Sequence, residues 1–269
     1  MDIPLGKSSP YPDRYDPSLL APMSRADARR GIGLTEAPIF RGADVWRGYE
    51  FSWLGASGKP EVAGIQLEVT ADSPYFVESK SLKLYLNGFA QTRFNSADEV
   101  RGVIARDLSA AFGASVSLEL LPLEALAKMM GALVGDCIDD LQISTDVYAR
   151  EPAFLTVSDR SRVVEESLVS HLFRSLCPVT GQPDWASVLI RYRGPEIDRA
   201  GLLKYLISFR SHPAFHETTI EQIWLDMKAQ LRCEALTVLG CFQRRGGLDI
   251  NPVRTDVEIE RVVPRLPRQ

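Results

Sequence analysis

The chain has 269 residues, of which 45% are hydrophobic and 25% charged, and its formal net charge is -4. This composition is typical of a folded globular protein and excludes a largely disordered one. The length predicts two small domains or one elaborate domain. Because 35 acidic residues outnumber 31 basic ones, the charge gives no reason to expect direct binding of nucleic acid or of an anionic membrane.

The N-terminal sequence and the cysteine spacing predict the compartment. The first residues show no basic region followed by an apolar stretch, so no secretory leader is expected. No apolar run reaches the roughly 18 residues that a membrane helix needs. The cysteines Cys137, Cys177, Cys233 and Cys241 form no CxxC pair. We therefore expect a reduced, cytoplasmic protein with no membrane partner.

Regular elements begin after an N-terminal arm. Residues 1–38 are rich in proline, glycine, serine and aspartate, which predicts loop structure laid over a folded body. Alternation and helical periodicity then predict two strands, two helices and a strand. These segments are 46–54, 61–70, 79–91, 98–112 and 115–123. A connector at 122–150 is predicted to open with an amphipathic helix at 123–135.

The second half of the chain predicts the same order of elements. Its two strands, two helices and final strand are 167–176, 185–193, 198–210, 218–230 and 233–243. The sequence YLNGFAQTRF (85–94) also matches YLISFRSHPAF (205–215) with one insertion. Tyr-Leu-x-x-Phe could be ordinary helical core spacing, but the shared element order favours an internal duplication. The expected domains are an arm (1–38), one unit (39–121), the connector (122–150) and a second unit (151–269).

Cys177 lies in a predicted turn between two strands, in SLCPVTGQPDW. If these strands form a hairpin, Cys177 and Asp184 stand at its two facing ends, with a carboxyl group beside a thiol. A thiol acts as a nucleophile only as the thiolate, and a neighbouring acid can hold or deliver the proton. The alternative is that Cys177 is a small buried apolar residue and Asp184 caps the turn.

His216 and Glu217 open a predicted helix. Capping of the helix dipole by Glu217, with a partly solvated His216, is the structural alternative to a functional role. His212 and His216 have the i, i+4 spacing of a metal site, but Pro213 interrupts the helix between them. His171 is the only further histidine, and no zinc-binding motif is present, so no metal site is expected.

Two further segments carry charge or glycine near predicted helix and strand ends. Glu78 begins a helix and could accept two N–H groups from a purine-like edge, or it could simply cap the helix. The sequence QRRGGLDINP (243–252) places two arginines beside two glycines, a combination that suits phosphate but also forms an ordinary turn after a strand. Each signal is weak alone.

Together these segments resemble one family. ESKSLKLY (78–85), LCPVTGQPDW (176–185), FHE (215–217) and RRGGLDINP (244–252) occur in the order found in the nitrile reductase of queuosine biosynthesis, 7-cyano-7-deazaguanine reductase. The opening LGKSSPYPDRYDPSLL (5–20) resembles the arm of the long, two-module form of that family. The resemblance therefore covers nearly the whole chain.

The resemblance implies a fold, a reaction and partners. The expected fold is α+β, with two tandem tunnelling-fold units, each an antiparallel sheet with paired helices on one face. The expected reaction, a step towards tRNA modification, is the four-electron reduction of a deazapurine nitrile to a primary amine with NADPH. The family also implies a homodimer.

Residue roles follow from the same resemblance. Cys177 is expected to add to the nitrile carbon as a covalent thioimide, Asp184 to donate a proton, and His216 to relay protons in later steps. Glu78 and Glu217 are expected to clamp the deazaguanine. Pocket-lining and NADPH-contacting positions complete the set: Val77, Ser79 and His216 for the substrate, and Ser79, Lys80, Arg245 and Gly246 for NADPH.

Two other classes of protein stay open as alternatives. One is a pterin- or purine-binding enzyme of the same fold with zinc-dependent cyclohydrolase or lyase chemistry, which would need a cysteine and histidine metal triad. The other is a duplicated binding module without activity, in which Cys177 is structural.

Overall fold

The chain folds as two α+β units, described by a computed structural model for residues 11–258 and 263–269. The first unit holds the described residues up to Glu36, Ala43–Met130 and Arg244–Ile250. The second holds Ala37–Gly42, Gly131–Gln243 and the described residues from Asn251 to Gln269. The first ten residues of the predicted arm lie outside the described part of the chain.

The first unit contains five strands and four α-helices among its described residues. In order they are β1 (Pro22–Ser24), α1 (Arg25–Gly31), β2 (Arg41–Leu54, here from Ala43), β3 (Pro60–Thr70), β4 (Tyr75–Val77), α2 (Ser79–Asn87), α3 (Ala97–Phe112), β5 (Val116–Leu121) and α4 (Leu123–Lys128). β3 pairs antiparallel with both β2 and β5. Its predicted alternation is confirmed, because Ile65, Leu67 and Val69 are buried while Thr70 is exposed.

The second unit repeats strand, strand, helix, helix, strand. Its elements are β6 (Asp136–Cys137), β7 (Val157–Leu176), β8 (Pro183–Ile197), α5 (Arg199–Ser208), α6 (His216–Leu231), β9 (Ala235–Phe242) and β10 (Leu248–Thr255, here from Asn251). β7, β8 and β9 pair antiparallel in that order, β10 pairs with β9, and β6 runs parallel to β7. The predicted apolar stripe of α6 is fully buried: Ile220, Ile223, Trp224, Met227 and Leu231.

One internal arrangement recurs in both units. Tyr85 on α2 donates its hydroxyl to Asp107 on α3 at 2.9 Å, and its ring meets Phe89 edge-on at 5.3 Å. Tyr205 on α5 does the same with Asp226 on α6 at 2.6 Å, and meets Phe209 at 5.3 Å. The letter match aligned the tyrosine and phenylalanine of each arrangement, whereas the two aspartates lie outside it.

Several predicted boundaries were wrong, and two of them lie near closely packed glycines. The helix predicted at 79–91 ends at Asn87, and a Cβ on the C-cap residue Gly88 would lie 2.5 Å from the Arg14 carbonyl oxygen. The helix predicted at 123–135 ends at Lys128. Gly135 then approaches the backbone of Ser167, where a Cβ would be 2.6 Å from the carbonyl oxygen, and the chain continues as β6.

Other differences concern segments whose pattern was weak. The arm predicted as loop contains β1 and α1, and β1 pairs with β4. β7 begins ten residues before the predicted strand, in a stretch of mostly exposed polar residues without alternation. β10 was not predicted, and Pro252 inside it is a residue that argues against a strand. In the described part of the chain, no helix is long and apolar enough to cross a membrane.

Candidate active site

A tight turn presents Cys177 at the end of the β7–β8 hairpin. Its amide donates to the carbonyl oxygen of Gln182 at 2.8 Å, and Gly181 donates back to the Cys177 carbonyl at 3.0 Å. The left-handed backbone of Gly181, with φ at +69°, closes this turn at a position that favours glycine. The thiol is therefore carried by a fixed backbone, and Cys177 is only 3% exposed.

The hairpin register corrects the predicted geometry of Cys177 and Asp184. Cys177 faces Gln182, and Asp184 stands two residues further along, directly opposite Ser175. Side chains two apart on a strand lie on the same side, and directly opposite residues share a face. Because Ser175 is two residues from Cys177 and opposite Asp184, the strand pattern, continued one residue beyond β7, predicts that Cys177 and Asp184 face the same side of the sheet.

The start of α6 is tied to the same hairpin end. Leu176 donates its amide to the His212 carbonyl at 2.9 Å, and Ala214 donates to the Leu176 carbonyl at 3.1 Å. This short parallel bridge brings the first two residues of α6, His216 and Glu217, to the end of β7. The structure thus gathers four predicted site residues from three chain segments.

His216 and Asp184 form a buried acid–imidazole pair. His216 Nε2 lies 3.3 Å from Asp184 Oδ2, and the two residues are 8% and 2% exposed. The alternative of a partly solvated His216 is therefore wrong. Such a pair can hold a proton and pass it on at its imidazole.

The first turn of α6 is built differently from that of an ordinary helix. Its N-cap residue, Phe215, offers no side-chain hydrogen bond to the helix amides. Glu217, 3% exposed, supplies a buried carboxylate in that turn, where the helix dipole favours negative charge. This arrangement places an acid beside the His216–Asp184 pair.

The remaining predicted substrate residues lie in the first unit, at the junction of β4 and α2. Val77 ends β4 and is 1% exposed, and Glu78 caps α2. Both carboxylate oxygens of Glu78 accept helix amides, from Lys80 at 2.7 Å and from Ser81 at 2.8 Å. The capping alternative is thus confirmed, and a carboxylate has further lone pairs for a ligand.

Glu78 is also anchored by the segment that precedes β1. Its amide donates to the carbonyl of Ala21 at 3.0 Å, while Ser81 Oγ accepts the amide of Ala21 at 3.1 Å. The residue next to it, Ser79, lies with Lys80 in the half-buried first turn of α2. The predicted arm therefore helps to hold the carboxylate in place.

Arg245 and Gly246 form a tight turn in the first unit. Arg245 exchanges backbone hydrogen bonds with Leu248 at 2.8 and 3.2 Å, and Gly246 and Gly247 have φ of +61° and +88°. A Cβ on Gly246 would lie 2.6 Å from Lys83 Cδ and 2.8 Å from its Nζ. The positive φ favours glycine at position 246, and its lack of a side chain leaves room for the end of Lys83.

A cavity of about 170 Å³ adjoins this turn, lined among others by Glu50, Lys83, Asn87 and Gly246. A lysine ammonium beside a glycine turn is chemistry that suits a phosphate group. Lys83 was not among the cofactor positions expected from the sequence. Its i, i+3 spacing from Lys80 on α2 was the available signal.

Phe242 and Ser175 were also missed. Phe242 ends β9, and its ring lies flat against the ring of His216, with centroids 3.9 Å apart. The position of Phe242 depends on the pairing register of β8 and β9, in which it lies opposite Ala186. Ser175 could have been found, because it precedes Cys177 by two residues in a predicted strand.

The zinc alternative needs a cluster of metal ligands. Within residues 11–258 and 263–269, no group of three or more His, Cys, Asp or Glu side chains is arranged to hold a metal ion. Comparison with known proteins identifies the family of this chain.

Two family models match the chain, one in each half. Residues 11–120 match the N-terminal region of the nitrile reductase 7-cyano-7-deazaguanine reductase, and residues 183–261 match a QueF-like protein. With the relatives below, these matches show that the chain belongs to the 7-cyano-7-deazaguanine reductase family.

Curated relatives resemble the chain along almost its whole length. A protein of Burkholderia multivorans is 52% identical over 254 residues, covering 94% of this chain and 93% of its own. One of Burkholderia cenocepacia is 53% identical over 256 residues, with the same coverage. Both are called NADPH-dependent 7-cyano-7-deazaguanine reductase.

Proposed function

We propose that this chain reduces 7-cyano-7-deazaguanine to 7-aminomethyl-7-deazaguanine with two NADPH, a step of queuosine biosynthesis. The observation that carries the proposal is the buried pair between His216 of α6 and Asp184 of the hairpin that presents Cys177. Family membership supplies the substrate class, and the names of the relatives supply the cofactor.

The first step forms a bond between sulfur and carbon. The Cys177 thiolate attacks the nitrile carbon, and one pair of electrons of the triple bond moves to nitrogen. Asp184, buried on the same face, delivers the proton that this nitrogen takes up, so the product is a neutral thioimide. The C=N bond that remains accepts hydride more readily than the nitrile does.

Later steps return the thiolate and complete the amine. NADPH, when bound, supplies the two hydrides that a four-electron reduction needs. After the first reduction the C–S bond breaks, its electron pair returns to Cys177, and an imine remains. His216 passes protons between Asp184 and the substrate nitrogen as the imine becomes an amine.

Recognition of the deazaguanine is assigned to acidic residues. Glu217 and Glu78, each on the first turn or cap of a helix, accept N–H groups of the heterocycle. Val77 and Ser79 complete the pocket beside Glu78.

The cofactor is assigned to the first unit. Ser79 and Lys80 at the start of α2, with Arg245 and Gly246 in the glycine turn, would hold NADPH. The Gly246–Lys83 contact supports this fit, since cation and backbone amides meet there.

We also propose that each unit is a tunnelling-fold unit. The recurring order of two strands, two helices and a strand, and the recurring Tyr–Asp bond, support this. The domain boundaries at 38, 121 and 150, the homodimer, the cytoplasmic location and the lack of direct nucleic-acid binding stay predictions.

Intact-mass measurement tests the proposal. Protein mixed with the nitrile in the absence of NADPH should gain the mass of one substrate molecule. Cys177→Ala should show no adduct and no turnover while still binding the nitrile. Cys241→Ala is the matched control, because Cys241 is equally buried at 2% and should leave adduct and turnover intact. An adduct that persists in Cys177→Ala would refute the assignment of the nucleophile.

A further inference from the structure

His216 makes an unusually close ring contact for a buried imidazole. The centroids of His216 and Phe242 are 3.9 Å apart, and their planes differ by 5°. Aromatic pairs usually lie edge-on or offset with centroids 4.5–7 Å apart. Phe242 is completely buried, so the contact is enclosed by protein.

The hydrogen bond that usually orients an imidazole ring is not made by His216 to any residue that the structure describes. In many sites one ring nitrogen does the chemistry while the other is held by a hydrogen bond. His216 Nδ1 is buried and makes no hydrogen bond with any residue that the structure describes. Among residues 11–258 and 263–269, the ring's one polar contact is therefore that of Nε2 with Asp184 Oδ2, at 3.3 Å. A single contact at one atom does not fix the plane of a ring.

Phe242 is itself held from several directions. Its ring meets Phe173 edge-on at 6.2 Å and 88°. Its carbonyl oxygen accepts a hydrogen bond from Gln269 Nε2 at 2.9 Å, and it pairs with Ala186 across the sheet. A rigid phenyl face is thus available to define the plane of His216.

We propose that Phe242 is a positioning residue, whose stacked ring fixes the plane of His216 so that Nε2 points at Asp184. The inference rests on the proposed function, because it matters only if His216 relays protons. Removal of the flat ring should therefore impair the late proton transfers while leaving the attack of Cys177 unaffected.

The chain offers a matched pair of substitutions. Phe242→Met keeps most of the apolar volume but removes the ring plane. Phe173→Met makes the same change at an equally buried phenylalanine that touches Phe242 and Phe209 but is not in ring contact with His216. Phe242→Tyr retains the plane.

Turnover, KM and the thioimide adduct are measured on all four proteins after their thermal unfolding is compared. We expect kcat to fall about 10- to 100-fold in Phe242→Met, because small misplacements of a reacting group have effects of that size. KM and adduct yield should stay within about threefold. Phe173→Met and Phe242→Tyr should keep kcat within about threefold. Where Phe242→Met does not fold, Phe242→Leu and Phe173→Leu replace the methionine pair.

The outcomes separate this inference from the proposed function. If the wild-type protein shows neither the adduct nor turnover, the proposed nitrile reduction is refuted. A working wild type in which the Phe242 and Phe173 substitutions lower kcat equally would show that Phe242 only fills space. Loss of the adduct in parallel with kcat, or a folded Phe242→Tyr as impaired as Phe242→Met, would also overturn the positioning role.

Discussion

Glu78 has two roles that a substitution must separate. Its carboxylate caps α2 through the amides of Lys80 and Ser81, and we propose that it also binds the heterocycle. Loss of a capping side chain typically destabilises a protein by about 0.5–2 kcal/mol. Loss of one hydrogen bond to a charged acceptor costs about 1.5–3 kcal/mol, which is roughly a 10- to 150-fold loss of affinity.

The second unit provides the control for the cap. Asp198 caps α5 by accepting the amide of Ala200 at 3.0 Å, and α5 carries none of the proposed site residues. Glu78→Ala and Asp198→Ala should lower the free energy of unfolding by similar amounts, about 1 kcal/mol each. Only Glu78→Ala should weaken nitrile binding.

Affinity is best titrated in the Cys177→Ala background, where no covalent bond forms. Glu78→Gln adds a third comparison, since its amide oxygen can still accept one helix amide although the negative charge is lost. Its stability should lie between those of wild type and Glu78→Ala, while its affinity falls. Unchanged affinity in Glu78→Ala, or an equal loss in Asp198→Ala, would contradict a role for this carboxylate in binding.

Two predictions concern groups away from the site. Burial alone would raise the pKa of Glu166, but hydrogen bonds from Tyr192 and Arg199 lower it below the ordinary value. The ionised Glu166 carboxylate therefore stabilises the folded state fully above about pH 4.3, and this contribution is lost as the pH falls through the lowered pKa. After allowance for solvent screening, Glu166→Gln should lower the free energy of unfolding by roughly 0.5–1 kcal/mol at pH 7 and by less at pH 3, as measured by urea unfolding. A loss of stability that does not change with pH would argue against the ion pair. Burial raises the pKa of Cys233 to about 11, so iodoacetamide at pH 8 should modify exposed Cys137 first; early labelling of Cys233, seen by peptide mass spectrometry, would contradict this.

Strong periodicity made most of the elements predictable. The stripe in α6 and the alternation in β3 are each set by one buried face, so local sequence determines them. Element ends were less predictable, because periodicity shows that a helix exists but not the residue at which it stops, as at Asn87 and Lys128. The first half of β7 gives no alternation, since most of its residues are exposed.

The candidate site was only partly visible in the sequence. Turn residues around Cys177 indicated a hairpin, but not the register that sets Asp184 opposite Ser175. Register depends on turn geometry and on pairing along the whole strand. The contact of His216 with Phe242 joins two elements through tertiary packing, so no local pattern could show it.

The second long helices of the two units, α3 and α6, begin differently. In the first unit, Ser96 caps α3 through the Glu99 amide, and the next two residues, Ala97 and Asp98, are exposed. At the corresponding start of α6, Phe215 offers no side-chain cap, and two titratable residues are buried instead.

A missing cap and buried titratable groups both cost stability. In the second unit, both destabilising features occur at the start of α6, which adjoins the hairpin that carries Cys177. In the first unit, the same position keeps a capped helix with an exposed first turn. Local rules of stability are usually broken where a protein acts on a ligand. The difference between these two helix starts therefore supports the proposal that the start of α6 belongs to the active site.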